Sequence, residues 1–172
     1  MEKNEQQIIL EEFRDYVIKQ ARSNLSKLKK NSSRKLYDSI KGEIKAMPNS
    51  LRLYFDMADY GFYQDKGVSG TKVKYNTPFK YTNKMPPPKA FDKWIVKKGI
   101  APRNKEGKFQ TRKGLQFAIA RSIFEKGIKP SLFFTKPFEA AFKNLPNEMI
   151  EAYGLEAQET FDTIMKENFK TK

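Results

Sequence analysis

Neither cysteine nor histidine occurs anywhere in the 172 residues. That excludes disulfides, Cys/His zinc sites, Ser-His-Asp and Cys-His triads, and histidine acid–base catalysis. Carboxylates with Mg²⁺, or lysine, are what remains for chemistry. Long hydrophobic runs are missing as well. No stretch approaches the roughly 20 apolar residues that a bilayer span needs, so no membrane partner is expected. The opening "MEKNEQQIILEEF" carries acids and an apolar run too short for a secretory signal, which makes an intracellular chain, or one released without secretion, the expectation. Internal repeats and low-complexity tracts are absent too.

What is present suffices for one domain with a real core. Hydrophobic residues make up 38% of the chain and include 14 Phe and 8 Tyr, while a mean hydropathy of −0.75 implies a heavily solvated surface. The net charge of +14 is unevenly spread. Lys66 to Lys113 holds 14 Lys or Arg against Asp92 and Glu106, a net of +12, whereas residues 144–172 hold six acids against three lysines, a net of −3. Such polarity suits a partner with an acidic surface, protein or nucleic acid, and equally suits a plain solvated lysine surface.

Periodicity sets out the elements. Ile9, Phe13, Tyr16, Val17, Gln20, Asn24, Leu25 and Leu28 recur at three- and four-residue steps and predict a helix over 5–30. From Leu36 the pattern reads as alternation, with Leu36, Ile40, Ile44 and Ala46 on one side. After the turn "MPNS", "LRLYFDM" alternates again, so a β-hairpin is expected, with Gly42 at a bulge or a close backbone approach. "TKVKYNTPFKYTNKMPPP" reads as a loop or extended arm. Pro87 and Pro88 stand where helices start, and Phe91, Trp94 and Ile95 share a face of the helix that Gly99 stops. "IAPRNKEGKFQ" is a second polar excursion with a turn at Lys105–Gly107. Thr111 caps a helix apolar on two sides, with Leu115, Ala118, Ile119, Ser122 and Ile123 on one and Phe117 and Phe124 on the other. Such a helix is central to the core or packs on a neighbouring subunit. Gly127 ends it. Thr135 is expected to cap a last helix running from Phe138 to Phe169, kinked or restarted at Pro146.

Three chemical readings compete. Asp56, Asp59 and Asp65 beside Lys66 suggest a metal nuclease, but all lie in one ten-residue span with no acidic partner converging from another strand. "GVSGTK" lacks the spacing of a phosphate-binding loop, and its glycines read better as turn residues. Neither supports catalysis or a bound cofactor. The third reading is nucleic-acid binding through 66–114, where Tyr75, Phe79, Tyr81, Phe91, Trp94 and Phe109 alternate with lysines, although Phe91 and Trp94 equally fit a helical core face.

The order of parts resembles the tail-completion, or head–tail joining, proteins of tailed bacteriophages. "SSRKLYDSIKGEI" is similar to that family's entry into its first strand at Arg34, Leu36, Asp38, Ser39 and Ile40. "ADYGFYQDKGVSG" is similar to its second conserved segment at Tyr60, Tyr63, Asp65 and Gly67, with Gly61 for the usual Ala and Asp65 for the usual Glu. "KPSLFFTKPFEAAF" is similar to the opening of its last helix at Pro130, Phe133 or Phe134, Pro137 and Glu139. The likeness covers about residues 5–170, with Thr71–Gln110 as an expanded basic loop and helix insertion in a single domain. It implies an α+β fold with a long first helix, a small antiparallel sheet, and two or three further helices including a long kinked C-terminal one. It implies a non-enzymatic virion protein of the neck or tail region, made in the host bacterial cytoplasm. The subunits would form a ring, about 12-fold favoured over about 6-fold, against portal, connector and tail proteins. Under that resemblance Tyr60, Phe62, Tyr63, Asp65 and Gly67 form a structural junction at a subunit or partner interface. Lys97, Lys98, Arg103, Lys105, Lys108, Arg112 and Lys113 face a partner protein or packaged DNA.

Overall fold

The computed structural model describes residues 5–28, 33–47, 50–104, 106–109 and 111–147. Among them, helices accompany a small antiparallel sheet, an α+β arrangement. The chain divides into two compact units, residues 1–61 with 132–172 and residues 62–131.

The first unit contains α1 (Glu5–Lys27), α2 (Lys35–Ser39), β1 (Lys41–Met47), β2 (Ser50–Asp56) and α6 (Thr135–Phe142). Helix α1 buries Phe13, Val17, Ala21 and Leu25, a row at a strict four-residue step, whereas Tyr16 and Leu28 of the expected face are exposed. Strands β1 and β2 form the expected hairpin, in continuous register from Lys41↔Asp56 to Met47↔Ser50. Gly42 is the close approach and not a bulge: a Cβ there would lie 2.5 Å from Arg14 Cγ on α1. Phenylalanines fill the interior. Phe13 meets Phe138 edge-on at 5.4 Å, and Phe55 meets Phe134 edge-on at 5.2 Å. Such pairs contribute about 0.5–1.5 kcal/mol each beyond their buried area. Asn24 Nδ2 donates to the Phe133 carbonyl at 3.2 Å, fixing α1 to the approach of α6.

Two expectations in this unit need correction. Residues 35–39 form a helix, not the start of the strand. Arg34 takes a left-handed φ of 56°, and its carbonyl accepts from Asp38 N at 2.8 Å. The Ser39 hydroxyl donates to the Leu36 carbonyl and accepts from Ala58 N, each at 2.9 Å. Leu36 and Ile40 are both buried, since a four-residue spacing satisfies one helical turn as well as two strand steps. Thr135 is the first residue of α6 and not its cap; Phe134 holds the cap position without a side-chain cap bond. The α6 helix ends at Phe142, ahead of Pro146, and the expected long helix from 148 onward lies outside the described residues.

The second unit is entered through α3 (Tyr60–Lys66), a helix the sequence pattern did not indicate, and holds β3 (Val68–Ser69), α4 (Asp92–Lys97), α5 (Arg112–Lys126) and β4 (Gly127–Ile128). β3 and β4 pair antiparallel through Val68↔Ile128 and Ser69↔Gly127. As expected, 71–87 is loop. Pro88 opens a 3-10 turn into α4, Gly99 follows that helix at φ 61°, and the Thr111 hydroxyl accepts from Gly114 N at 3.1 Å to cap α5. Gly127, at φ 76°, ends α5.

Candidate functional site: a basic groove on α4 and α5

Residues 67–81 are anchored to the C-terminal end of α5. Ser69 is the anchor: its amide donates to Phe79 O at 2.8 Å, its carbonyl accepts from Tyr81 N at 2.9 Å, and its hydroxyl accepts from Tyr75 N at 3.0 Å. Thr71 N and Lys72 N donate to the Phe124 and Glu125 carbonyls, both at 2.9 Å, so the loop fastens to the end of α5. Backbone meets backbone so closely here that side chains are excluded. A Cβ on Gly70 would lie 2.2 Å from Glu125 O, and one on Gly127 2.1 Å from Val68 O. The glycines of "GVSG" are therefore packed against protein and do not form an open phosphate cradle.

On this frame α4 and the first half of α5 lie side by side. The Gln116 amide donates to Asp92 Oδ1 at 2.6 Å, and Arg112 Nη1 lies 3.6 Å from the same oxygen. Between them opens a groove of about 290 Å³, lined by Ile95, Val96, Ile100, Pro102, Arg112 and Leu115, with Gly99 and Ala101 in its wall. Val96 is 55% exposed and Trp94, two residues earlier, 40%. Exposed Lys97 and Lys98 follow Val96 directly, and exposed Lys113 follows Arg112.

The excursion between Pro102 and Arg112 rises from the rim of the same groove. It is internally bonded: Asn104 Oδ1 accepts from Glu106 N at 3.1 Å and Lys108 N at 2.8 Å, and Arg103 bridges Phe109. The Arg103 guanidinium sits 4.1 Å from the centre of the Phe109 ring, which is 68% exposed. Lys108 has Glu106 at 4.0 Å, an exposed pair of little energetic weight. Of the candidate cations, Arg112 lines the groove and Arg103 and Lys108 stand on the excursion between its lining residues Pro102 and Arg112, whereas Lys97, Lys98 and Lys113 are exposed on the same unit; Lys105 lies outside the described residues.

Nearly all of the chain's net charge lies in the unit that carries this groove. Residues 62–131 hold 17 Lys or Arg against four acids, a net of +13 out of the chain's +14. Three of those acids have cationic neighbours, and the fourth, Asp65, is fully buried. Glu125 accepts from Lys72 at 2.9 Å and from Arg121 at 3.0 Å, and these bonds hold its carboxyl below the usual glutamate range. The outward side of α5, with Lys113, Phe117, Ala118 and Arg121 exposed, continues the basic surface; Phe117 was expected on a second apolar face and is 51% exposed.

The other candidate residues lie along α3. Tyr60 and Tyr63 are about 40% exposed, and the Tyr63 ring stands 4.7 Å from Phe79. Phe62 is buried, and Gly67 turns the chain at φ 77°. Ser131 donates through its amide to the Asp65 carbonyl at 3.0 Å and through its hydroxyl to the Gln64 carbonyl, closing the end of α3. Of the suspected acidic cluster, Asp56 and Asp59 are exposed while Asp65 is buried, and no three acidic side chains gather as a metal site among the described residues. No described helix is long and apolar enough to cross a membrane.

The groove and the Arg103–Phe109 tip escaped the sequence reading, because they depend on α4 meeting α5 side by side. The run "RNKEGKF" did signal a turn, and the exposure of a lone Phe within it was the missed clue. Comparison with protein-family models, curated proteins and solved structures found no match to this chain.

Proposed function

We propose that the chain is a non-enzymatic ring subunit of a tailed-phage neck, connector or tail-completion complex, joining head to tail. The observation that supports this reading is where the three family-like segments fall. "SSRKLYDSIKGEI" spans α2 and the entry to β1, "ADYGFYQDKGVSG" spans α3 and β3, and "KPSLFFTKPFEAAF" runs from the exit of β4 into α6. Their shared residues have structural work. Leu36 and Ile40 are buried, the Ser39 hydroxyl ties α2 to Ala58, and Phe133, Phe134 and Pro137 are buried at the start of α6. The long kinked C-terminal helix belongs to this proposal, as does a ring of about 12 rather than about 6 copies. Exposed Tyr60, Tyr63 and Phe117 would then be covered by neighbouring subunits or adjoining rings. A phage lacking the chain should accumulate DNA-filled heads and finished tails that do not join, reversed by supplying the chain in trans. Normal joined particles without it would contradict the proposal.

Nucleic-acid binding through 66–114 is a second reading, favoured by the exposed Arg103–Phe109 stack within a unit of net charge +13.

A further inference from the structure

We infer that the α4–α5 groove receives the acidic segment 148–172 of a second copy of this chain, a contact that rests on the ring reading and would supply its subunit-to-subunit joint. A ring built head to tail needs two different, complementary surfaces on every subunit. The groove supplies one: an apolar floor including Val96 and Ile100 with Arg112 in its lining, on a unit of net charge +13 that also exposes Lys97, Lys98 and Lys113. Arg112 is engaged by Asp92, whereas the three lysines are exposed and available to an incoming carboxylate.

The sequence carries a matching counterpart. Residues 148–172 hold six acids against three lysines, and they interleave Met149, Tyr153, Ala157, Phe161 and Ile164 at three- and four-residue steps. Apolar residues at that spacing, accompanied by Glu151, Glu156 and Glu159, offer what an apolar groove on a strongly cationic unit selects. These 25 residues follow Asn147, the last described residue, and would span about 40 Å as a helix and at most about 90 Å extended, a length that allows contact with a neighbouring copy. Nucleic acid, the other polyanion, would use the cations and Phe109 but has no need of the aliphatic floor.

Charge-swap variants of the full chain test the contact. One variant carries Lys97→Glu, Lys98→Glu and Lys113→Glu, all at exposed positions; the other carries Glu151→Lys, Glu156→Lys and Glu159→Lys. Sedimentation velocity should show self-association of the wild-type chain, weakened by salt and weakened about tenfold or more in either variant alone. Mixing the two variants should restore it, because each reversed surface then meets a reversed partner in trans. Circular dichroism melts confirm that both variants fold. A wild-type chain monomeric to about 100 μM would overturn the inference, as would association indifferent to both variants or a mixture that restores nothing. Restoration only when both sets are combined in one chain would place the segment on its own groove and overturn the contact between copies. Oligonucleotide binding lost in the lysine variant, with self-association unchanged, would assign these lysines to nucleic acid and overturn the inference. None of these results bears on whether the chain is needed to join heads to tails, so the ring reading stands or falls separately.

Discussion

Gly127 concentrates three constraints in one residue: it ends α5, pairs with Ser69, and sits at φ 76° with Val68 O where a Cβ would be. Gly127→Ala combines backbone strain with a backbone collision that no side-chain movement relieves, and should cost roughly 3 kcal/mol or more. Gly61 makes the control. A Cβ there meets Met57 Sδ at 2.7 Å and Leu36 Cδ1 at 2.8 Å, the ends of flexible side chains, so Gly61→Ala should stay within about 1 kcal/mol of wild type. Urea denaturation of the two variants checks the contrast, and equal losses would mean the glycine contact between β3 and α5 is not what constrains Gly127. The sequence marked Gly127 as a helix end on local grounds, but gave no sign of its collision with Val68. That partner lies 59 positions away in the chain and becomes visible only once β3 and β4 pair.

At the scale of elements, the junction of α5 with the 71–81 loop should respond to acid. Hydrogen bonds from Lys72 and then Arg121 hold the Glu125 carboxyl below its usual range, so the unfolded chain takes up a proton here more readily than the folded one. The stability this supplies is complete above the ordinary glutamate value and disappears as pH falls through the lower folded-state value. Glu125→Gln should therefore be less stable near neutrality and lose less than wild type between about pH 5 and about pH 3. Thermal melts across that interval decide it, and parallel curves would remove the linkage. Elements that announce themselves by local chemistry were legible: α1 by its period, the start of α4 by Pro88, the cap of α5 by Thr111, the hairpin by alternation. Where two periods coincide the pattern was ambiguous. Leu36, Ile40 and Ile44 fit steps of two and of four alike, and Arg34 in a left-handed turn decided for α2. In α3 the aromatic and acidic residues obscured a seven-residue helix too short to establish a period.

For the whole molecule, the division of charge is the property that bears most directly on assembly. One unit holds a net +13 while the rest of the chain is close to neutral, with residues 148–172 net acidic at −3. Linear counting revealed the polarity but not the apolar groove that Arg112 lines, since that requires α4 and α5 side by side. In the proposed ring, opposite surfaces of neighbouring subunits would neutralise one another. The proposed neck or tail ring is tested most directly by quantitative mass spectrometry of purified particles of a phage that encodes the chain, counting the chain against the major capsid protein. A fixed low number, about 12 or about 6 copies per particle, is the result expected of a ring on the head–tail axis. Absence from mature particles, or a copy number that varies between preparations, would contradict it.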